Sequence, residues 1–308
     1  MRRRKGRDVD GILLLDKPTG VSSNQALQRT RRLFDARKAG HTGNLDVLAS
    51  GLLPLCFGEA SKFSSFLLDA DKRYLADCRL GVTTSTGDAE GGILTRADAS
   101  AIMRTDLERV LPHFRGEIEQ IPPMYSALKH QGQPLYKLAR EGKTVARKPR
   151  RVRIDGIDVT SFSGPDFSMD VRCSKGTYIR TLAEDIGRTL DCGAYLTALR
   201  RLASGPFSLA EALDFEQLED LAREGVAALD AVLLPVDAAL GALPMVRLGE
   251  DSAYYLCQGQ AVRISDDIQA GLVRVYASEG HFLGLGDLDA AGTLAPKRMI
   301  RQQVSDEE

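Results

Sequence analysis

A chain of 308 residues with 43% hydrophobic content can build two domains, or one large domain with an appendage. Its formal net charge of −1 gives no reason from the total alone to expect a nucleic-acid partner. Its five cysteines, widely spaced and without a C-x-x-C, argue against a disulfide frame or a zinc site and for buried thiols in a reducing cytosol. No apolar run reaches the length of a membrane span, Gly11 to Leu15 is too short for a signal h-region, and the four histidines show no metal-ligand spacing.

Residues 1–10 form a basic tail with Arg2, Arg3, Arg4, Lys5 and Arg7. Gly11 to Leu15 reads as a short buried strand, followed by turn chemistry from Asp16 to Gly20. Lys17 therefore falls on a loop just after a strand, either as an exposed lysine or as a contact near a site. Ser22 is placed as an N-cap, with Gln25 at the capping-box position and Val21 as a staple. The helix it opens runs to Phe34, with Ala26, Leu27, Thr30, Leu33 and Phe34 inward.

The next stretch, Gly40 to Gly51, holds three glycines, His41 and a single acid, Asp46. Its glycines allow tight turns between packed elements, where a scaffold presents a reactive side chain. The plain alternative is a turn whose Asp caps a backbone N–H. Apolar Leu52 to Phe57 follows.

Arg73 to Leu80 alternates as a strand with Tyr74 on its apolar face, which by itself reads as a core tyrosine. Thr105 and Glu108 suggest a capping box for a helix that stops before Pro112. Residues 120–153 are less regular. They carry Pro122, Pro123, Tyr125, Tyr136, a short Leu135 to Glu141 helix ended by Gly142, and the cations Lys143, Arg147, Lys148, Arg150, Arg151 and Arg153, with no acid in residues 143–153. Pro149 prevents one helical stripe. Aromatic and basic side chains on a long connection suit RNA, although a solvated face is the plain reading of any basic run.

A strand over Val152 to Val159 and another through Phe167, Met169, Val171 and Cys173 precede a turn at Ser174 to Gly176. Ile179, Leu182, Ala183, Ile186 and Leu190 mark a helix, with Tyr178 and Arg180 at the junction. Asp214 and Gln217 cap a later helix. Residues 233–245 read as a packed linker. Beyond Met245, expected strands at Leu272 to Tyr276, Phe282 to Leu285 and Met299 to Ile300 make a small all-β module over 246–302, and 303–308 is an acidic tail. Gly284-x-Gly286 precedes no helix, which discards a dinucleotide reading.

Gly40-His41-Thr42-Gly43-x-Leu45-Asp46-x-Leu48-Ala49-Ser50-Gly51-x-Leu53-Pro54 resembles the catalytic motif of the bacterial tRNA pseudouridine-55 synthases, the TruB family. Leu15-Asp16-Lys17-Pro18-x-Gly20-x-Ser22-Ser23 and Asp71-Lys72-Arg73-Tyr74 resemble its first two motifs. Gln120-Ile121-Pro122-Pro123-Met124-Tyr125-Ser126-Ala127-Leu128-Lys129, Cys173-Ser174-Lys175-Gly176-Thr177-Tyr178-Ile179-Arg180 and Leu199-Arg200-Arg201 complete the set in family order. Asn44 and Val47 depart from the expected Ala and Pro, and Val47 is expected to loosen the loop after the acid.

The resemblance implies an α+β fold: a mixed, mainly antiparallel sheet of the pseudouridine synthase fold flanked by helices, over 11–232, with an RNA-binding insertion at about 120–153 and a C-terminal PUA-like domain. It implies isomerisation of the T-loop uridine (position 55) of tRNA by base flipping, without cofactor or metal, in the cytoplasm. The implied partner is tRNA through its T-arm, with no protein partner and no membrane. Asp46, Tyr74 and Arg180 are the implied catalytic residues. His41, Tyr178, Leu199, Lys17, Lys62, Arg147, Lys148 and Arg150 are assigned to the RNA. Burial would raise the Asp46 pKa, and a bidentate Arg180 contact would offset it. Two alternatives stand beside this reading: a non-catalytic RNA-binding or RNA-folding protein, and a related synthase acting on another RNA. A tRNA-folding role could also accompany catalysis.

Overall fold

The structure is a computed structural model that describes residues 6–265 and 268–301. The expectations for residues 1–5 and for the acidic tail lie outside the described residues.

A nine-stranded sheet forms the larger part. Its main path runs Gly11–Lys17, Ser50–Phe57, Ala194–Ser204, Lys72–Leu80, Asp166–Cys173, Arg150–Ser163, Gly116–Gln120. Along this path the pairing is antiparallel except where Ala194–Ser204 meets Ser50–Phe57, with Arg200 opposite Ser50 and Arg201 opposite Gly51. Alternation in Lys72–Leu80 becomes burial: Tyr74, Ala76, Cys78 and Leu80 enter the core, while Arg73 and Arg79 stay exposed. Gly11–Lys17 is apolar without alternation because it is covered on both faces. Leu13 and Leu15 join the large core that holds the Ser23–Leu33 and Ile179–Thr189 helices, and Ile12 and Leu14 join a second cluster with Leu52, Cys56 and Phe207.

The Ser22 capping box forms as expected: Gln25 N–H donates to Ser22 Oγ at 3.2 Å, and Ser22 N–H to Gln25 Oε1 at 2.9 Å. Asp214 and Gln217 make the same exchange, both bonds at 2.9 Å. The Thr105–Glu108 box does not form. The helix is Arg104–Val110, and Met103 N–H donates to Asp106 Oδ2 at 3.0 Å. Glu108 instead accepts from Arg104 Nε at 2.7 Å, and Asp106, two residues closer to the helix start, takes the cap.

Two strands outrun their expected ends. Gly11–Lys17 continues to Lys17 because Lys17 pairs with Gly51, so Lys17 closes a strand and does not lie on the loop beyond it. The Val152 to Val159 strand becomes Arg150–Ser163, held at one end by Gly116–Gln120 and at the other by its hairpin partner Asp166–Cys173.

The C-terminal part is a five-stranded sheet in the order Met245–Leu248, Gly271–Ala277, Phe282–Leu288, Thr293–Met299, Val262–Arg263. The strand expected at Met299 to Ile300 is thus Thr293–Met299. One helix, Glu250–Cys257, was not legible in the sequence: only Ala253 and Leu256 are buried, and Tyr254 and Tyr255 point outward, which erases the apolar periodicity. This part packs on the larger one through the Phe63 and Phe282 rings, 5.5 Å apart, and through Leu240 and Leu285.

Candidate active site

Asp46 sits in the loop between the Ala39–His41 and Ser50–Phe57 strands. Backbone anchors fix it at several points. Thr42 N–H donates to Pro54 O at 3.1 Å, Leu45 N–H to Ser23 Oγ at 2.8 Å, and Ala49 N–H to Asp46 O at 3.1 Å. Gly20 N–H donates to Val47 O at 2.8 Å, which anchors the loop just after the acid. Gly51 has φ +98°, and a Cβ there would stand 2.4 Å from Arg201 O. Only glycine lets these two strands approach so closely at the loop's end.

Arg180 meets this loop from the Ile179–Thr189 helix. Its guanidinium is almost wholly buried, at 4% exposure, and its Nε lies 3.0 Å from Asp46 Oδ2. The expected bidentate contact does not form. One terminal nitrogen donates to Thr86 O at 2.9 Å and lies 3.5 Å from Asp88 Oδ2; the other donates to Tyr125 O at 2.7 Å. The fork is spent on its own support, and one N–H remains for Asp46. Three partners on two loops, Thr86 and Asp88 on one and Tyr125 on the other, fix the orientation of that N–H.

The Asp46 side chain keeps 44% of its surface open while its other side is enclosed by these groups. Burial is the largest influence and pushes its pKa up; Arg180 pulls it down, Asp88 pushes it up again, and Lys17 pulls it down, leaving it raised above 3.8. Lys17 has no exposed surface, and its ammonium donates to Pro18 O at 2.8 Å and Val21 O at 2.6 Å. Burial brings its pKa down to about 8, against the pull of Asp46. Lys17 therefore acts on Asp46 as a fixed charge from below and offers no surface to RNA in this structure.

Tyr74 is buried and stands opposite Arg201 in the register of Lys72–Leu80 with Ala194–Ser204; Leu199 lies two residues along on the same face. Arg201 is 1% exposed. Its Nε donates to Leu52 O at 2.6 Å, and one terminal nitrogen is buried without a hydrogen-bond partner. Burial raises the Tyr74 phenol, and Arg201 draws it back. Tyr178 caps the Arg180 helix, and its backbone is clamped by buried Gln120: Tyr178 N–H donates to Gln120 Oε1 at 3.0 Å, and Gln120 Nε2 to Tyr178 O at 3.2 Å. His41 is half-buried at the start of the loop; burial pushes its pKa down, which favours the neutral ring at pH 7.

The remaining assigned cations lie elsewhere. Lys62 pairs with Glu59 at 2.6 Å and donates to Met299 O at 2.9 Å, so it fastens the C-terminal part to the larger one. Arg147 is half-buried and donates to Pro122 O at 3.2 Å, while Lys148 and Arg150 are exposed. The sequence, with no acid in residues 143–153, predicts a run without acids to neutralise it; the structure corrects this at both ends. Lys143 pairs with Glu141 at 2.8 Å, and Arg153 with Asp155 at 2.6 Å and Asp71 at 3.1 Å. Arg147, Lys148 and Arg150, in its middle, have no acid partner among the described residues.

A family model described as TruB family pseudouridylate synthase (N terminal domain) matches residues 31–179. Two C-terminal models of the same family match 180–241 and 244–300. A protein of Pseudomonas aeruginosa (strain UCBPP-PA14) named tRNA pseudouridine synthase B is 54% identical over 97% of this chain and 98% of its own length. One of Methylobacillus flagellatus with the same name is 56% identical at the same coverage. The chain belongs to the TruB family. A solved Cbf5-Nop10-Gar1 complex supplies a structural likeness, with TM-score 0.71 and 25% identity over 95% of this chain and 84% of that one.

Within this TruB-family site, Asp88, Arg201 and Gln120 are the residues whose importance single-sequence reasoning missed. Gln120 and Arg201 lie in motif segments but carry no distinctive spacing. Asp88 lies in Thr84-Ser85-Thr86-Gly87-Asp88, where glycine, hydroxyls and one acid signal a built turn. There Thr84 Oγ1 donates to Asp88 O at 2.7 Å, and Glu90 N–H to Asp88 Oδ1 at 3.1 Å.

Proposed function

We propose that this chain isomerises uridine in tRNA to pseudouridine, with the T-loop uridine at position 55 as its target. The C1′–N1 bond breaks, the uracil turns, and a C1′–C5 bond forms. C5 loses its proton and N1 ends protonated, so the reaction is redox-neutral. The observation that carries the reading is the Asp46–Arg180 pair: an ionisable carboxylate with one open face, held by a buried guanidinium that is itself immobilised by Thr86, Asp88 and Tyr125. A carboxylate so placed suits glycosidic-bond chemistry, as nucleophile or as base.

In this reading the target base leaves its stack to enter the site. Tyr74 lies beside it, Leu199 and Tyr178 line its walls, and His41 supports the distorted RNA. Lys17 holds Asp46 ionised through its charge. Lys148 and Arg150 meet phosphate, and the C-terminal part adds RNA surface as a PUA-like domain would. A cytoplasmic location accords with a tRNA substrate; no helix among the described residues is long and apolar enough to cross a membrane.

The test is incubation of purified protein with unmodified tRNA transcripts, followed by chemical mapping of pseudouridine. One new pseudouridine, in the T-loop, is the expected result. Tight tRNA binding without pseudouridine would overturn the reading in favour of a binding or folding protein, and modification only of another RNA would overturn the substrate.

A further inference from the structure

Gln120 ends the Gly116–Gln120 strand at the edge of the larger sheet, where its Cα partner is Arg150. Its side chain is 1% exposed and spends both polar atoms on one residue. Tyr178 N–H donates to Oε1 at 3.0 Å, and Nε2 donates to Tyr178 O at 3.2 Å. The same carbonyl takes the first bond of the Ile179–Thr189 helix, from Leu182 N–H at 3.0 Å. A buried amide that is fully paired in this way is costly to remove, because the backbone groups it serves would be left unmatched.

The origin of this glutamine is the informative point. At Ser22 and Asp214 the N–H of the cap residue donates to a glutamine three positions on, Gln25 or Gln217, within the same helix. At Tyr178 that position is Thr181, whose Oγ1 is buried without a hydrogen-bond partner, and Tyr178 has no side-chain cap bond. The glutamine comes instead from a strand 58 positions earlier in the chain. A local glutamine steadies a helix start but leaves it free to shift as a whole. A glutamine on the sheet fixes where the helix starts.

Arg180 is the second residue of that helix. Thr86, Asp88 and Tyr125 hold its guanidinium, and Gln120 holds the main chain from which the side chain springs. A side chain fixed at both ends has one reach, and here that reach puts Nε 3.0 Å from Asp46 Oδ2. Gln120 and Tyr125 belong to one segment, and Arg147 donates to Pro122 O between them, so the segment also joins the basic run to the helix start. We propose that Gln120 is a positioning residue for the isomerisation, which sets the start of the helix so that Arg180 meets Asp46 and Tyr178 lines the uridine site. The inference rests on the proposed reading of Asp46 and Arg180. Misplacement of a reacting group by about 1 Å can cost ~10²-fold in rate, so loss of the clamp is expected to show in chemistry before it shows in binding.

The experiment compares Gln120→Met, which removes both bonds at similar volume, and Gln120→Asn, whose shorter side chain cannot span them. Melting temperature, tRNA affinity and the single-turnover rate of pseudouridine formation in pre-formed complex are measured for each. The rate should fall at least tenfold while affinity stays within threefold of wild type; Gln120→Asn carries the test should Gln120→Met fail to fold. In an Arg180→Lys background the further loss should be less than threefold, because the guanidinium that Gln120 places is gone. A rate in bound complex equal to wild type in a folded variant, with only melting temperature or affinity lowered, would make Gln120 a structural staple and overturn the inference. So would an undiminished loss in the Arg180→Lys background. Wild-type protein that leaves tRNA unmodified would overturn the proposed reading and this inference with it, whereas an active wild type with equally active variants would overturn this inference alone.

Discussion

Two groups of cations make opposite uses of the same charge. Lys17, Arg180 and Arg201 surround the floor of the Asp46 site and have almost no exposed surface. Backbone carbonyls hold all three: Pro18 and Val21 for Lys17, Thr86 and Tyr125 for Arg180, Leu52 for Arg201. A carbonyl orients a cation without cancelling it; Asp88, 3.5 Å from Arg180, offsets part of that one charge, and the remaining field reaches the site at close range, where screening is weak. Lys148 and Arg150 are exposed, solvated and without acid partners among the described residues, and beyond about 10 Å their field is screened at 0.1 M salt. On the proposed reading the first group acts through fixed position and the second through counterion release. Counting charges in the sequence cannot separate them; burial can.

The sharpest way to break this contrast is at the charge the buried group serves. Asp46→Asn keeps shape and removes charge. Turnover should fall by more than about 10³-fold, roughly 4 kcal/mol of barrier, while tRNA affinity in a filter-binding assay changes little. Measurable multiple turnover by the variant would remove Asp46 from the chemistry. Single-turnover rates in pre-formed complex should also be nearly independent of salt for the wild type, whereas binding should not.

Next in size is Arg180→Lys. Lysine keeps the charge but cannot meet Asp46, Thr86, Asp88 and Tyr125 together. We expect kcat to fall at least tenfold, about 1.4 kcal/mol, with a smaller change in affinity; a wild-type kcat would make the fork irrelevant. Arg201→Met should lower kcat by about fivefold, ~1 kcal/mol, and should cost nothing more in a Tyr74→Phe background, because Arg201 acts on the site through the phenol opposite it. A loss that persists in that background would assign Arg201 another role. Lys17→Met tests the sign of the field. Lys17 lowers the Asp46 pKa, so its removal raises that pKa further above 3.8. On the proposed reading activity needs the carboxylate and is lost as pH falls through its pKa, so the acid limb of the kcat–pH profile should move to higher pH. An unmoved limb would show that Lys17 is only structural.

Much of this arrangement was legible in the sequence, for identifiable reasons. Strand alternation around Tyr74, the Ser22–Gln25 and Asp214–Gln217 boxes, and the glycines bracketing Asp46 are local, and local rules found them. Lys17 was misplaced because a strand's end depends on its partner, Gly51, thirty-four positions away in the chain. Asp88, Arg201 and Gln120 act through contacts with Arg180, Tyr74 and Tyr178 that exist only after the sheet has formed. Lys62 reads as any surface lysine until Met299 is brought against it. Asp71, which meets Arg153, is likewise distant in sequence, whereas Glu141 and Asp155 stand two positions from Lys143 and Arg153 and lie just outside the run.

The smallest effect on chemistry belongs to the exposed cations. Lys148 and Arg150 are expected to touch phosphate, and each contact releases counterions, so the logarithm of affinity falls with the logarithm of salt. Neutralising both to Gln should make that slope shallower by about 1.4–1.8, at ~0.7–0.9 per contact. Arg147 is half-buried and bonded to Pro122, so adding Arg147→Gln should change the slope little beyond that. Lys143 and Arg153 already face Glu141, Asp155 and Asp71, and their neutralisation should alter it less than Lys148 and Arg150 do. Saturated turnover should stay near wild type throughout, because phosphate contacts position the RNA and do not act on the base. An unchanged slope in the folded double variant would mean that these side chains are merely solvated. A large loss of saturated turnover would mean that the exposed group reaches the chemistry after all, and the distinction between the two sets of cations would fail.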